Sequence, residues 1–178
     1  MRLFIAIDLP EHIREQVTRL HHGLPGTRWT PPEQLHLTLR FIGDVNEPIY
    51  ETIIERLAQV RFPPFQMRIR GVGQFLKAKL SQILWVGIAA EETLLDLQAQ
   101  VEKEIRGTGL PGEKRAYQPH ITIARIKNTP RQRLMDYVEQ FSHFESDDFT
   151  VHAFYLYSSI LRPEGARHHI EAEFPANS

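Results

Sequence analysis

The sequence predicts an α+β fold in which one unit of strands and helices occurs twice along the chain. Apolar residues change repeatedly between short continuous runs, typical of buried strands, and a helical spacing. The elements of the second half also follow those of the first at an offset close to 84 residues. Because this offset is nearly half of the 178-residue chain, it indicates duplication of a whole unit rather than a short-period repeat.

Each half begins with a buried strand and an amphipathic helix. Residues 3–9 form an apolar run of strand length, and residues 11–22 carry apolar side chains at helical spacing directly after Pro10. The same order returns at 83–90 and 91–105. The two segments therefore predict a strand and a helix in both halves.

The later elements of the unit repeat as well. The segment QLHLTL at 34–39 resembles QPHITI at 118–123. Each is followed by an amphipathic helix, at 49–60 and at 131–141, and then by an alternating strand. Five elements in one order at a nearly constant offset favour duplication over coincidence between short apolar patterns.

The two halves, approximately residues 1–82 and 83–178, are not separated by a linker rich in Gly or Ser. We therefore expect residues 1–178 to form a single bilobal domain, with the halves related by a pseudo-two-fold axis around a shared central cleft. Loops rich in Gly and Pro at 23–32 and 107–117 precede two similar strands. These loops are expected to flank the cleft.

Composition excludes several classes of protein. Apolar residues make up 42% and charged residues 24%, as in an ordinary globular domain. A net charge of −1 does not fit a protein that coats long polyanions, so nucleic acid would be met locally, at an end or a single nucleotide. The chain has no cysteine, which excludes disulfides, thiolate nucleophiles and cysteine-based zinc sites.

The N-terminal segment and the hydropathy predict a cytoplasmic location. Asp8 and Pro10 interrupt the first apolar run too early for the core of a signal peptide. No apolar run approaches the length of a membrane span. A reducing compartment suits a chain without cysteine, and no membrane partner is expected.

The two repeated tetrapeptides hold the candidate site. Successive side chains of a strand point to opposite faces, so His36 and Thr38 share one face while the leucines after them share the other. His120 and Thr122 have the same arrangement. A pseudo-two-fold axis would bring the two polar faces to opposite walls of one cleft.

This pairing of histidines suits chemistry at phosphorus. In-line displacement needs a base that takes a proton from the attacking water and an acid that protonates the leaving oxygen. Histidine has the unperturbed pKa nearest to neutral pH, so one neutral and one charged ring supply both functions. The hydroxyls of Thr38 and Thr122 can donate hydrogen bonds to the non-bridging oxygens.

With these motifs the chain resembles the two-histidine phosphoesterase superfamily. HLTL at 36–39 and HITI at 120–123 are similar to its paired signature. The opening RLFIAIDLP, then LHLTLRFIGDV and PHITIAR, resemble the bacterial and archaeal RNA 2′,3′-cyclic phosphodiesterase branch, historically called 2′-5′ RNA ligase. The resemblance covers essentially the whole chain. It implies a bilobal α+β fold with an antiparallel sheet in each lobe, helices on the outside and an active site in the central cleft.

The resemblance also implies an activity. The expected reaction is hydrolysis of RNA 2′,3′-cyclic phosphate ends to 2′-phosphates, without a metal or other cofactor, with weak ATP-independent joining of tRNA halves through 2′-5′ linkages. Carried over to this sequence, His36 is the proton donor to the leaving 3′ oxygen and His120 is the proton acceptor that activates water. RNA ends, small cyclic nucleotides and tRNA halves are the expected partners. No protein partner is expected, and the chain is expected to be a monomer.

Four residues near the motifs are candidates for substrate contacts. Arg125 lies five residues after His120, so a regular strand would turn it away from the cleft, whereas a bulge would return it to a phosphate. Tyr117 and Phe41 are candidates to stack on a base, although the alternation along the strand places Phe41 in the core. Trp29 is expected to be either a stacking surface or a loop anchor.

Two alternatives remain open at this point. A non-catalytic module that binds RNA ends would show clustered aromatic residues on a sheet face and a basic surface, which 10% aromatic residues and the net charge disfavour. A metal hydrolase using His36, His120 and Asp44 lacks a second carboxylate at ligand spacing. The adjacent histidines at 21–22 and 168–169 point to opposite faces of a strand, and no metal is expected there.

Overall fold

The computed structural model describes residues 1–78 and 81–177, which contain four α-helices, one short 3-10 helix and ten strands. The helices are α1 (Glu11–Thr18), α2 (Glu47–Leu57), α3 (Glu92–Arg106) and α4 (Arg131–Gln140), and the 3-10 helix spans Pro32–Gln34. The strands are β1 (Arg2–Asp8), β2 (Thr27–Trp29), β3 (His36–Asp44), β4 (Phe65–Met67), β5 (Ile69–Ala78), β6 (Ser81–Ile88), β7 (His120–Ile126), β8 (Phe149–Val151), β9 (Ala153–Arg162) and β10 (Gly165–Pro175).

The strands form two antiparallel sheets of four. Sheet A has the order β10-β9-β1-β3, and sheet B has the order β2-β7-β6-β5. The α+β class with antiparallel sheets is therefore confirmed. Each sheet combines strands from both halves of the sequence, since β9 pairs with β1 in sheet A and β2 pairs with β7 in sheet B. The two sheets consequently exchange strands instead of each using a continuous half of the sequence.

Strands β4 and β8 occupy equivalent positions in the two halves of the sequence repeat, and they pair with each other as a two-stranded antiparallel ladder. Gln66 pairs with Thr150, and their side chains, 84 residues apart in the chain, are hydrogen bonded. The pairs on either side are Phe65 with Val151 and Met67 with Phe149. Phe65 corresponds to Phe149 in the repeat and Met67 corresponds to Val151, so the repeat converts one pair into the other. This is the register that a two-fold axis between Gln66 and Thr150 requires.

Alternation along β1 explains why its apolar run is continuous. Leu3, Ile5 and Ile7 are buried in the main core, whereas Phe4 and Ala6 are buried in a second, smaller cluster on the opposite face. A strand covered on both faces needs no polar face, in contrast to a half-exposed strand. Sheet A therefore carries an aromatic cluster on the face turned away from the main core.

The helices begin within two residues of the predicted positions and pack against the core through their apolar stripes. Asn46 caps α2, because its side chain accepts a hydrogen bond of 3.0 Å from the Ile49 backbone N–H. Helix α3 buries apolar residues at helical spacing: Leu94, Leu97, Val101 and Ile105. None of the helices in the described part of the chain is long and apolar enough to cross a membrane.

Candidate active site

Both histidine strands start with the predicted alternation and then break it at equivalent positions. In β3, His36 and Thr38 are half-buried while Leu37 and Leu39 are buried in the main core. The register between β3 and β1 then skips Leu39, which forms a β-bulge. We call the face that carries the two histidines, opposite the main core, the site face of each sheet.

The bulge reverses the orientation of the next residues of β3. Arg40, which the simple alternation places with His36, is instead buried, with 9% of its surface exposed. Phe41 is 50% exposed and lies on the site face. The prediction that Phe41 belongs to the core is therefore wrong, because an extra residue in the ladder exchanges inward and outward positions.

Strand β7 has the same irregularity and returns Arg125 to the site face. The register with β6 skips Ile123, after which Ala124 is buried and Arg125 is exposed. Arg125 therefore lies on the face of His120 and Thr122, which is the outcome that a bulge was expected to produce. In the repeat, Arg125 corresponds to Phe41, so one sheet presents a cation where the other presents an aromatic ring.

Several contacts hold the two sheets together around these strands. Strands β3 and β7 pack against each other. The Tyr117 hydroxyl, just before β7, donates a hydrogen bond of 2.8 Å to the Thr38 carbonyl oxygen in β3. Within sheet A, the Gln34 side chain, just before β3, donates one of 2.6 Å to the Ala166 carbonyl oxygen at the start of β10. The two motifs are thus brought together through their own flanking residues.

His36 lies in an aromatic environment. Its ring stacks on Phe4 at 4.9 Å between centroids, and His168 approaches it edge-on at 5.4 Å. The pKa of His36 is lowered to about 4, chiefly by burial and in smaller part by the nearby His168, while a hydrogen bond with the backbone of Gln34 acts in the opposite direction. His36 is therefore neutral at neutral pH in the free protein.

The His120 ring is oriented by a hydrogen bond to its own strand entry. Its Nδ1 lies 2.7 Å from the Gln118 carbonyl oxygen. Because a carbonyl oxygen only accepts, Nδ1 carries the proton, and Nε2 of the neutral ring is the nitrogen with a free lone pair. Gln118 and Gln34 precede equivalent histidines, so both rings take their orientation from equivalent backbone positions.

The threonine hydroxyls remain available, whereas Tyr117 is occupied by the protein. Within residues 1–78 and 81–177, the side chains of Thr38 and Thr122 make no hydrogen bond to another residue, so each hydroxyl can donate to a bound anion. Tyr117 packs against the main core, and burial raises the pKa of its hydroxyl. Its position supports the loop before β7, and a contact with substrate stays a prediction that this position does not favour.

A buried ion pair between Arg40 and Glu102 holds the loop before β7 against β3. Arg40 Nε donates a hydrogen bond of 2.6 Å to Glu102 on α3, and Arg40 Nη2 donates one of 2.5 Å to the Pro111 carbonyl oxygen. The other Glu102 carboxylate oxygen accepts the Glu113 backbone N–H at 2.8 Å. The bulge that turns Arg40 inward thereby positions the loop leading to His120.

His168 is the clearest neighbour of the site that the sequence interpretation missed. It lies on β10, contacts Phe4 edge-on at 4.9 Å and faces His36, while the adjacent His169 is exposed. The sequence analysis considered His168 and His169 only for metal binding and expected no metal there. Its closeness to His36 follows from the pairing of β10 with β9 and of β9 with β1, which no local pattern indicates.

Other candidate residues lie away from the two histidines. Asp44 and His36 occupy opposite ends of β3, roughly 26 Å apart at about 3.3 Å per residue, so they cannot share a metal. The Asp44 carboxylate instead lies 3.8 Å from the terminal amine of Met1. Trp29 stacks on His21 at 4.9 Å and packs against the main core, which makes it a loop anchor.

Replacing His168 with asparagine is expected to raise the pKa of His36. The charge that His168 carries when protonated lowers that pKa, although burial remains the larger cause, so the pKa should stay below the ordinary value of histidine. An NMR titration of the His36 ring in the free protein measures the shift. His152→Asn, at an exposed position between β8 and β9, is the control, and an unchanged or lowered pKa in His168→Asn would contradict the assigned effect of His168.

Comparison with known proteins places these features in one family. A family model described as the 2′-5′ RNA ligase superfamily matches residues 9–161, which confirms the resemblance drawn from the paired motifs. A protein of Archaeoglobus fulgidus named RNA 2′,3′-cyclic phosphodiesterase is 34% identical over 168 residues, covering 93% of this chain and 94% of that protein.

Solved structures have the same fold over the same length. E. coli LigT in its apo form has a TM-score of 0.82 at 24% identity and covers 99% of this chain and 98% of its own. The protein TT0787 of Thermus thermophilus has a TM-score of 0.76 at 30% identity and covers 98% and 97%. E. coli LigT has also been solved in complex with 3′-AMP. At this identity the E. coli protein shows the fold alone.

Proposed function

The chain belongs to the 2′-5′ RNA ligase superfamily, and on that premise we propose that it hydrolyses RNA 2′,3′-cyclic phosphate ends to 2′-phosphomonoesters. One observation carries the proposal: β3 and β7, which pack against each other, present a histidine and a threonine on equivalent site faces. The name of the Archaeoglobus fulgidus relative supports the same reaction.

The two histidines divide the proton transfers. His120 accepts a proton at Nε2 from a water molecule, which attacks phosphorus in line with the bond to the 3′ oxygen. His36 donates a proton to that 3′ oxygen as the bond to phosphorus breaks. The phosphate stays on the 2′ oxygen, and the proton taken by His120 is returned to solvent.

Because the pKa of His36 is low, His36 must gain a proton before it can act as the acid. A donor must be protonated, yet His36 is neutral at neutral pH in the free protein. A bound phosphate oxygen close to the ring favours the charged form and raises the pKa. The acid is therefore created when the substrate binds, and the proton enters the site together with the anion.

Proton uptake on binding tests this condition. Titration calorimetry of 2′-AMP at pH 7 in buffers of different ionisation enthalpy should show close to one more proton taken up by the native protein than by His36→Gln. The variant corrects for titration of the nucleotide itself, because both proteins receive the same ligand. Equal proton uptake by the two proteins would mean that His36 is not charged in the complex.

The remaining site-face residues surround the phosphate and the nucleoside in this scheme. The hydroxyls of Thr38 and Thr122 donate to the non-bridging oxygens, where transition-state charge develops. Arg125 is an exposed cation on the same face as His120 and pairs with a phosphate oxygen. Phe41, half exposed beside the other histidine strand, offers its ring to the base of the terminal nucleotide. Tyr117 positions the loop that carries His120.

Removing one hydroxyl at a time measures the contribution of the threonines. Thr38→Val and Thr122→Val are each expected to lower kcat by about 10- to 10³-fold, because loss of one preorganised donor to the developing charge costs up to that amount. Valine keeps the shape and the strand preference of threonine. The effect should appear in kcat more than in KM, and native kcat in both variants would place the hydroxyls away from the phosphate.

The non-catalytic alternative has one feature in its favour. Binding modules carry clustered aromatic residues on a sheet face, and sheet A has such a cluster in Phe4, Tyr157 and the adjacent Phe41. Two aromatic residues of this cluster, Phe4 and Tyr157, also stack on His36, which a module without chemistry does not need. Turnover of a 2′,3′-cyclic nucleotide by the native protein separates the two functions directly.

We also propose a location, an oligomeric state and substrates for the protein. We place the protein in the cytoplasm as a monomer that acts on RNA ends or small cyclic nucleotides, with weak ATP-independent joining of tRNA halves through 2′-5′ linkages. No metal or other cofactor enters the scheme. Excess EDTA should therefore leave the rate unchanged, and an activity lost with chelator and restored by a divalent ion would favour metal-assisted hydrolysis.

A further inference from the structure

Sheet B carries an aromatic pair of its own on the site face, beside His120. Phe75 on β5 meets the His120 ring edge-on at 4.9 Å, and Trp85 on β6 lies 6.2 Å from it. Phe75 and Trp85 are themselves 5.2 Å apart. Trp85 pairs with Thr122 in the ladder, so the pair lies directly next to the second motif. Both side chains are half-buried and therefore present surface to solvent.

Glycine makes the Trp85 ring lie flat on the sheet. A Cβ at Gly73, the residue opposite Trp85 on β5, would lie only 2.3 Å from Trp85 Cζ2. The ring therefore occupies the space above the backbone that any side chain at position 73 would fill. A Cβ at Gly87 would lie 3.4 Å from Trp85 Cζ3. One face of the indole therefore rests on the backbone of the sheet, and the Phe75 ring lies beside it.

The indole N–H does not explain the position of the ring. Trp85 Nε1 is buried and, among the residues that the structure describes, has no hydrogen-bond acceptor. Tryptophan normally finds a partner for this group when the group is buried. The ring is thus held by the glycine surface and by Phe75, in a position that favours a flat aromatic platform over a hydrogen-bonded anchor.

The location of the pair relative to the reaction indicates what it binds. In the proposed mechanism His120 takes a proton from the nucleophile, and His36 faces the leaving oxygen of the terminal nucleoside. Phe75 and Trp85 therefore lie on the nucleophile side of phosphorus, away from the aromatic residues that adjoin His36. Water as nucleophile gains nothing from an aromatic surface, whereas the base of a nucleoside that supplies a hydroxyl can stack on one.

We propose that Phe75 and Trp85 bind the base of the acceptor nucleoside in the 2′-5′ joining reaction, in which a 5′-hydroxyl replaces water as the nucleophile; this assignment rests on the function proposed above. The 5′ oxygen bonds to phosphorus as the bond from phosphorus to the 3′ oxygen breaks. His120 takes the proton of the 5′-hydroxyl, and His36 gives one to the 3′ oxygen. The product is a 2′-5′ phosphodiester, and no other reactant is consumed. The reverse step releases a 5′-hydroxyl nucleoside and restores the cyclic phosphate.

Fluorescence of Trp85 tests where the acceptor base lies. The chain has two tryptophans, so Trp29→Phe leaves Trp85 as the single emitter. A 2′-5′-linked adenylyl adenosine, which spans both sides of phosphorus, should quench Trp85 when recorded by stopped flow before turnover. Saturating 2′-AMP, which lacks the acceptor nucleoside, should not. Absence of quenching by the dinucleotide would overturn the proposal, as would equal quenching by 2′-AMP.

Kinetics on two substrates provides an independent test. Phe75→Ala should lower the ratio of kcat/KM for cleavage of the 2′-5′ dinucleotide to kcat/KM for hydrolysis of 2′,3′-cyclic AMP by about tenfold or more, because only the dinucleotide stacks there. Both rates are measured on one preparation, so partial loss of folded protein cancels. Phe41→Ala, on the leaving side, is the matched control and should lower both rates with little change in their ratio.

Different results would overturn the acceptor surface and the proposed hydrolysis. An unchanged ratio in Phe75→Ala, with the native protein hydrolysing cyclic AMP, would overturn the acceptor surface and leave the proposed hydrolysis intact. A native protein that hydrolyses neither substrate would overturn the proposed function itself. A ratio that falls equally in Phe41→Ala and Phe75→Ala would place both residues on one nucleoside and would also overturn the acceptor assignment.

Discussion

Alanine at His36 or at His120 is expected to lower kcat on an RNA 2′,3′-cyclic phosphate by about 10²–10⁴-fold. A positioned proton-transfer group typically contributes that amount, and each histidine acts on a different oxygen of the in-line reaction. The double variant should be little slower than either single variant, because groups that act as a unit are not additive. Rates are measured under saturating substrate, with circular dichroism to confirm the fold.

A matched histidine distinguishes chemistry from a general effect of losing an imidazole. His152→Ala is the control, because His152 is exposed between β8 and β9, outside both motifs. Its kcat should equal that of the native protein. Turnover within a few-fold of native in either His36→Ala or His120→Ala would remove that residue from the proposed acid–base pair.

Glu102→Ala is expected to cost about 3–5 kcal/mol of the free energy of unfolding. It leaves the Arg40 guanidinium buried without its partner, and breaking one side of a buried ion pair carries a cost of that size. The Glu113 backbone N–H in the loop before β7 loses its acceptor as well. Urea unfolding at neutral pH measures the change, since the slope with denaturant should stay constant.

Glu104→Ala is the matched control on the same helix. Its carboxylate lies 3.4 Å from Arg56, whose side chain is 45% exposed, so this pair should contribute about 1 kcal/mol or less. Replacing Arg40 and Glu102 together by Met and Leu should recover most of the loss, because apolar residues of similar size replace buried ion pairs well. Equal losses in Glu102→Ala and Glu104→Ala would contradict the assignment of a buried pair to Arg40.

The first residues of each motif could be predicted from the sequence because alternation in a strand is local. His36 with Thr38, and His120 with Thr122, needed only a side-chain period of two. Arg40 and Phe41 could not be placed by the same argument. Their orientation depends on a bulge in the ladder with β1, and a bulge is a property of two strands rather than one.

The environment of His36 depends on contacts that are distant in sequence. His168 reaches it through the order β10-β9-β1-β3, which joins the last strand of the chain to the first. The same exchange brings Phe75 of β5 beside His120 of β7 through β6. Offsets in sequence predicted that the unit repeats, but strand order within a sheet follows from packing, which the apolar pattern of a single segment does not encode.

The most direct test of the central claim is a product assay on an RNA oligonucleotide that ends in a 2′,3′-cyclic phosphate, with the 2′- and 3′-monophosphate ends resolved chromatographically. We expect the native protein to form the 2′-phosphate alone, at a rate unchanged by EDTA, and His36→Ala and His120→Ala to form almost none. A 3′-phosphate product, or an unaltered 2′-phosphate yield from either histidine variant, would contradict this claim.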